Sequence, residues 1–132
     1  MITTKWHEAL VDIDRSTEFT GDDVDRYSKL VDLKGSFEFI TVIVPTLSTS
    51  GIVTPYIQKT DGVDTVTPAN GEVPVAMVTM DGNATGHFAH ATSSGAGGIV
   101  TVFRIGGAEY VRVHVSQNQS ADRTFYVRGF NR

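Results

Sequence analysis

The chain has no cysteine, which excludes disulfides and thiolate metal sites outright. It also has no long apolar run. A spanning helix needs roughly 18 such residues, whereas the longest stretch here, Phe39 to Pro45, has the length of a strand. Base is scarce as well: 11 lysines and arginines face 15 acids, a net charge of −4, and such a chain is a poor fit to nucleic acid. The opening residues MITTKWHEALVDID lack the basic-then-apolar layout of a signal peptide, so a soluble protein that is not exported by a classical route is expected. No stretch carries apolar residues at i, i+3, i+4 and i+7 without a Gly, Pro or β-branched interruption, so no helix of conventional length is predicted. No internal repeat is visible.

What remains is strand pattern. With 132 residues the chain makes one domain, long enough to bury about two-thirds of its unfolded surface. From Gly98 to Phe130 it reads GIVTVFRIGG, AEYVRVHVS and DRTFYVRGF. Val111, Val113 and Val115 alternate with Tyr110, Arg112 and His114, the period of a strand buried on one face. Phe125 and Val127 likewise alternate with Thr124, Tyr126 and Arg128. Short linkers, Ile105 to Ala108 and Gln117 to Ser120, predict an antiparallel meander of three strands. Upstream, Leu30–Leu33 and Phe37–Val44 read as two strands split by a tight turn at Lys34-Gly35. Ile40, Val42 and Val44 fall on one face of the second, with Phe37, Phe39 and Ile43 on the other, as in a central or covered strand. Pro45 ends it. Ile52–Lys59, Val73–Thr79 and Gly86–Ala91 follow, punctuated by the turn signals Asp61-Gly62 and Asp81-Gly82-Asn83. The run Ser93 to Gly98 reads as a hairpin tip. The expected fold is all-β: an antiparallel β-sandwich, jelly-roll-like, of about eight strands with an irregular N-terminal arm. Its core is drawn from Phe37, Ile40, Val42, Val44, Val100, Val102, Val111, Val113, Val115, Phe125 and Val127.

The charge is polarised along the chain. Residues 1–38 hold nine acids against five bases, residues 39–98 four against Lys59, and residues 99–132 only Glu109 and Asp122 against Arg104, Arg112, Arg123, Arg128 and Arg132. Uneven solvated charge accounts for this, and so does an arginine-bearing face that docks on an acidic neighbour. The division into residues 1–28 and 29–132 follows composition. The first part mixes a possible strand, Trp6 to Ile13, with the polar stretch from Asp14 to Ser28, which has few apolar anchors. It reads either as an arm or as the first strand plus a loop. As an arm it would dock through Trp6, Leu10 and Phe19, with Asp22, Asp23 and Asp25 meeting basic partner residues.

Motifs for chemistry are weak throughout. His87 and His90 have a metal-like spacing, but on a strand residues three apart point to opposite faces. Asp61-Gly-Val-Asp64 and Asp81-Gly-Asn83 resemble calcium-loop fragments without a full ligand ladder, and turn chemistry explains them. Gly95 to Gly98 is followed by no Lys-Ser/Thr and no helix, so it is not a phosphate cradle. Ser93-Ser94 has no nucleophile-elbow pattern. Trp6, Tyr27, Tyr56, Tyr110 and Tyr126 could form an aromatic sugar platform. Tyr110 and Tyr126 are its best members, on the outward parity of strands expected to be adjacent, beside Arg112 and Arg128. No enzyme, cofactor or metal is expected.

The succession LVDLKGSFEFITVIVPTLSTSGIV, IGGAEYVRVHVS and ADRTFYVRGF, within residues 30–130, resembles a small β-sandwich type encoded among tailed-phage structural genes. The resemblance implies an auxiliary capsid protein, of the decoration or cement kind, made in a bacterial cytoplasm and bound to the outside of the virion head. Its partners would be the major capsid protein or another virion protein and further copies of itself, as in a homotrimer, with no nucleic acid and no membrane. Similar Tyr-Val-Arg-Val strands occur in galactose-binding-like jelly rolls, so a carbohydrate- or surface-binding module is the alternative. The residues singled out for partner contact are Trp6, Leu10, Phe19, Asp22, Asp23, Asp25, Tyr110, Arg112, Tyr126 and Arg128.

Overall fold

β-Branched and aromatic residues at alternate positions favour extended chain, because they pack well on a pleated surface. The computed structural model describes residues 2–12, 26–48, 51–58, 72–74, 90–92 and 99–132. These are almost entirely antiparallel β-sheet, with almost no helix. The strands are β1 (Ile2–Thr3), β2 (His7–Val11), β3 (Val31–Val44), β4 (Gly51–Gln58), β5 (Glu72–Pro74), β6 (His90–Thr92), β7 (Ile99–Val115) and β8 (Arg123–Asn131). They run in the order β1-β8-β3-β7-β4-β5, with β2 also on β8 and β6 also on β4.

The two long strands differ from the sequence expectation in the same way. Leu30–Leu33 and Phe37–Val44 are not separated by a turn. β3 passes through Lys34, whose φ of 58° is accommodated while its amide donates to Asp32 Oδ1 at 2.7 Å. The pairing with β7 shifts register between Asp32 and Phe37 and again between Phe37 and Phe39. Likewise Gly106 (φ 65°) and Gly107 (φ 90°) do not reverse the chain, and β7 continues past them as one strand of 17 residues. A bulge and a hairpin use the same residues, glycine at positive φ, and only the partner strand decides between them. The terminal meander is therefore absent: β7 lies between β3 and β4, and β8 pairs with β3 instead.

Most of the expected core is buried: Phe37, Ile40, Val42, Val44, Val111, Val113, Val115, Phe125 and Val127, joined by Ala9, Val11, Leu33, Leu47, Val53, Phe103 and Ile105. Val100 and Val102 are corrections. They face solvent at 60% and 53% exposure, because Phe103 and Ile105 put the opposite parity of β7 inward. Phe37 reaches the core through the register shift, although its parity with Phe39 suggested the other face. Its ring lies over Gly129 of β8, where an added Cβ would stand 2.9 Å from Phe37 Cγ and 3.0 Å from Cδ2. Gly129→Ala is thus expected to destabilise by about 1–3 kcal/mol through overpacking. The check is a denaturant titration of the variant, with a shifted midpoint at unchanged slope.

Residues 2–12 belong to the sheet. β2 pairs along its length with β8, and Ala9 and Val11 are fully buried. On its other side the segment before β3 is tied in: Lys29 N donates to Leu10 O (2.9 Å) and Ser28 N to Val113 O (2.8 Å). Val113 N in turn donates to Ser28 Oγ at 2.9 Å. Of the possible strand Trp6 to Ile13, residues His7–Val11 are a strand, and β1 precedes it. Ile13 to Asp25 lie outside the described residues, as do Asp61-Gly62, Asp81 to Asn83, His87 and the Ser93–Gly98 tip.

Candidate functional site

Directly opposed residues of an antiparallel ladder share one face. Along β3, Phe39, Thr41 and Ile43 stand opposite Arg104, Val102 and Val100 of β7, and opposite Phe130, Arg128 and Tyr126 of β8. The interposed Ile40, Val42 and Val44 are fully buried. The result is a grid of three strands and three rows on the side away from the core. Glu8 extends the Tyr126 row and Thr3 the Phe130 row.

One half of this grid is apolar and wet: Val100, Val102, half-buried Ile43 and Tyr126, the last 40% exposed. The other half is built from aromatic rings under guanidinium groups. Phe39 and Phe130 stack with centroids 5.2 Å apart, and Arg132 lies 5.2 Å over the Phe39 ring. Arg128 lies 5.6 Å over the ring of Trp6, in the link between β1 and β2. Its Nε donates to Thr4 O at 2.8 Å and one terminal nitrogen to Thr3 Oγ1 at 3.0 Å. Arg104 is ion-paired with Glu38 at 2.9 Å. Thr3, Trp6, Thr41, Arg128 and Phe130 line a shallow cleft of about 250 Å³.

The residues expected to contact a partner divide between this face and other places. Tyr126, Arg128 and Trp6 lie on or beside it. Leu10 is half-buried on β2 opposite Thr124. Tyr110 and Tyr126 do not make a platform: β3 separates their strands, and they stand opposite Asp32 and Ile43 at its two ends. Arg112 is the clearest correction. It has the non-core parity that alternation assigns it, yet it is fully buried, and it donates to Ser28 O at 3.0 Å. It therefore does not join Arg128 in one exposed basic face. Phe19, Asp22, Asp23 and Asp25 lie outside the described residues.

Sequence reasoning missed a second cluster around Arg112. Tyr27 packs edge-on against Tyr56 (5.2 Å) and tilted against His114 (4.4 Å), and Tyr56 stacks on His114 at 5.4 Å. Tyr56 is the cross-strand partner of Arg112, and Thr54 that of His114. Both sides of the sheet are therefore covered at this end, which single-strand alternation does not reveal. His7 stands opposite Val127, on the core side of β2. Its imidazole is held below the ordinary value of 6.5 by burial first, then by Lys5 and Lys34, with Asp32 pulling the other way.

Phe39 and Ile43 were the sequence signal for the outer face, since apolar groups on both sides of β3 require something to cover each. No family model, no curated protein and no solved structure matches the chain.

Proposed function

We propose that this is a structural protein that works by docking its outer sheet face onto a larger assembly. In its most concrete form it is an auxiliary capsid protein of a tailed phage, of the decoration or cement kind, on the outside of the head. In this reading the sheet closes as a β-sandwich of the jelly-roll kind, with one layer turned to the partner. The observation that carries the reading is the apolar patch of Val100, Val102, Ile43 and Tyr126, on the face opposite the fully buried Ile40, Val42 and Val44. Contiguous exposed apolar surface rimmed by polar residues marks interaction sites on soluble proteins. An apolar centre with aromatic and arginine neighbours is also the usual composition of a protein interface. The phage assignment rests on the sequence resemblance.

The test is co-sedimentation with purified phage heads that lack the protein. Val102→Asp sets a charge in the middle of the face while leaving the core untouched. Its fold stability should change by less than about 1 kcal/mol, as for exposed substitutions, and its binding to heads should be lost. Equal binding of Val102→Asp and the parent would move the contact off this face, and no binding by the parent would remove the capsid role.

A second reading has its own observation. Trp6, beside Thr3, Thr41 and Arg128, forms a shallow aromatic and polar cleft that suits a sugar ring. In that case the protein is a carbohydrate- or surface-binding module, for example of a tail or fibre, and glycan binding would quench Trp6 without any need for Val102.

A further inference from the structure

We propose that the Trp6–Arg128 corner of the outer face is a subsite for a carboxylate, and that the partner segment seated on this face is an acidic stretch of a foreign protein with apolar residues beside its acids. The inference rests on the docking reading and names the chemistry of the partner.

Arg128 is fixed before any partner arrives. Thr4 O and Thr3 Oγ1 take its Nε and one terminal nitrogen, and the Trp6 ring lies beneath the guanidinium. Among the described residues the second terminal nitrogen has no partner, and no acid is ion-paired with the group. Glu8 occupies the same face opposite Tyr126 and makes no ion pair with Arg128. Arg132 lies over the Phe39 ring one row away, again without an ion pair among the described residues. Glu38, next to Phe39 on β3, is already engaged by Arg104. Two cations held over aromatic rings, with no acid ion-paired to them among the described residues, are complementary to carboxylates. Stacking leaves the guanidinium edge free to donate, and charge-assisted bonds from that edge are about twice as strong as neutral ones. The Thr3 and Thr4 contacts have already removed rotamer freedom, so less entropy is lost on binding. The adjoining apolar patch, Ile43 and Val102 with Tyr126, calls for apolar groups next to the acid, and this favours a protein segment over an acidic sugar.

Trp6 is the only tryptophan, so intrinsic emission reads this corner directly. The probe is a short blocked peptide of alternating leucine and glutamate, titrated into the full chain at low salt, with the glutamine version of the peptide as control. The glutamate peptide should change Trp6 emission saturably and bind at least about tenfold more tightly than the glutamine peptide, a difference that added salt erodes. Arg128→Gln should remove that preference, and Arg132→Gln should reduce it while leaving Thr3 and Thr4 held. Unchanged circular dichroism of Arg132→Gln separates loss of recognition from loss of fold. Equal affinity for both peptides, or no binding of either, overturns the proposal. So does tighter binding of polygalacturonate than of the peptide, which would assign the corner to a sugar. Emission that follows the protein's own dilution without any peptide would seat a second copy there and overturn it too. Head binding that needs Val102 while neither peptide binds would sink this subsite and leave the docking reading standing.

Discussion

Val113→Asp is expected to leave the protein without a cooperative unfolding transition at room temperature. Val113 is 1% exposed. It lies on β7 opposite Pro55 of β4, and on its other edge it exchanges two hydrogen bonds with Ser28. A carboxylate there loses the burial of an aliphatic side chain, worth about 1.5–3 kcal/mol. It also takes a charge out of water, which costs several kcal/mol more unless the group takes up a proton. A total above about 4 kcal/mol is a large share of the 5–15 kcal/mol that holds an ordinary domain together. The measurement is a thermal or denaturant melt followed by far-ultraviolet circular dichroism. A native-like melt for this variant would mean that β7 does not run through the centre of the sheet.

The second large effect separates two arginines that look alike in the sequence. Arg112→Glu should destabilise by about 3–5 kcal/mol, the range for breaking a buried charged arrangement by altering one member. The guanidinium is fully buried against Ser28 O, and a carboxylate would set acceptor against acceptor there. Arg112→Met keeps the stem and should fall between that variant and the parent, near the 1–3 kcal/mol of a lost buried hydrogen bond. Arg128→Glu, on the outer face, should move the melt by about 1 kcal/mol or less, since partly exposed pairs contribute little. If Arg112→Glu melts with the parent, Arg112 is solvated in solution and the segment carrying Ser28 does not close over it.

The basis for each expectation was unevenly legible. The alternation in AEYVRVHVS correctly placed Val111, Val113 and Val115 inward and assigned Arg112 to the other side. It could not place Tyr27 and Ser28 over that other side, because they come from far earlier in the chain. The mixed pattern of Phe37, Phe39 and Ile43 announced a strand with apolar groups on both faces. It did not reveal that Phe37 turns inward at a register shift into the space left by Gly129, while Phe39 and Ile43 stay outside. Trp6 and Arg128 were each candidates for partner contact, but only the pairing of β1 and β2 with β8 brings Trp6 beneath the guanidinium.

By itself, then, the sequence determined the all-β character and most of the core, since side-chain alternation and β-branched residues are local properties that a strand expresses whatever its neighbours. Tertiary structure decided which glycines turn the chain and which are absorbed as bulges, since Gly106-Gly107 and Lys34-Gly35 satisfy both geometries and the partner strand selects one. It also decided which apolar residues stay wet. Val100 and Val102 are as hydrophobic as Val111 and Val113, and the difference lies in what covers them: inward-facing Val111 and Val113 close a core, whereas Val100 and Val102 stand on the solvent-facing side of β7.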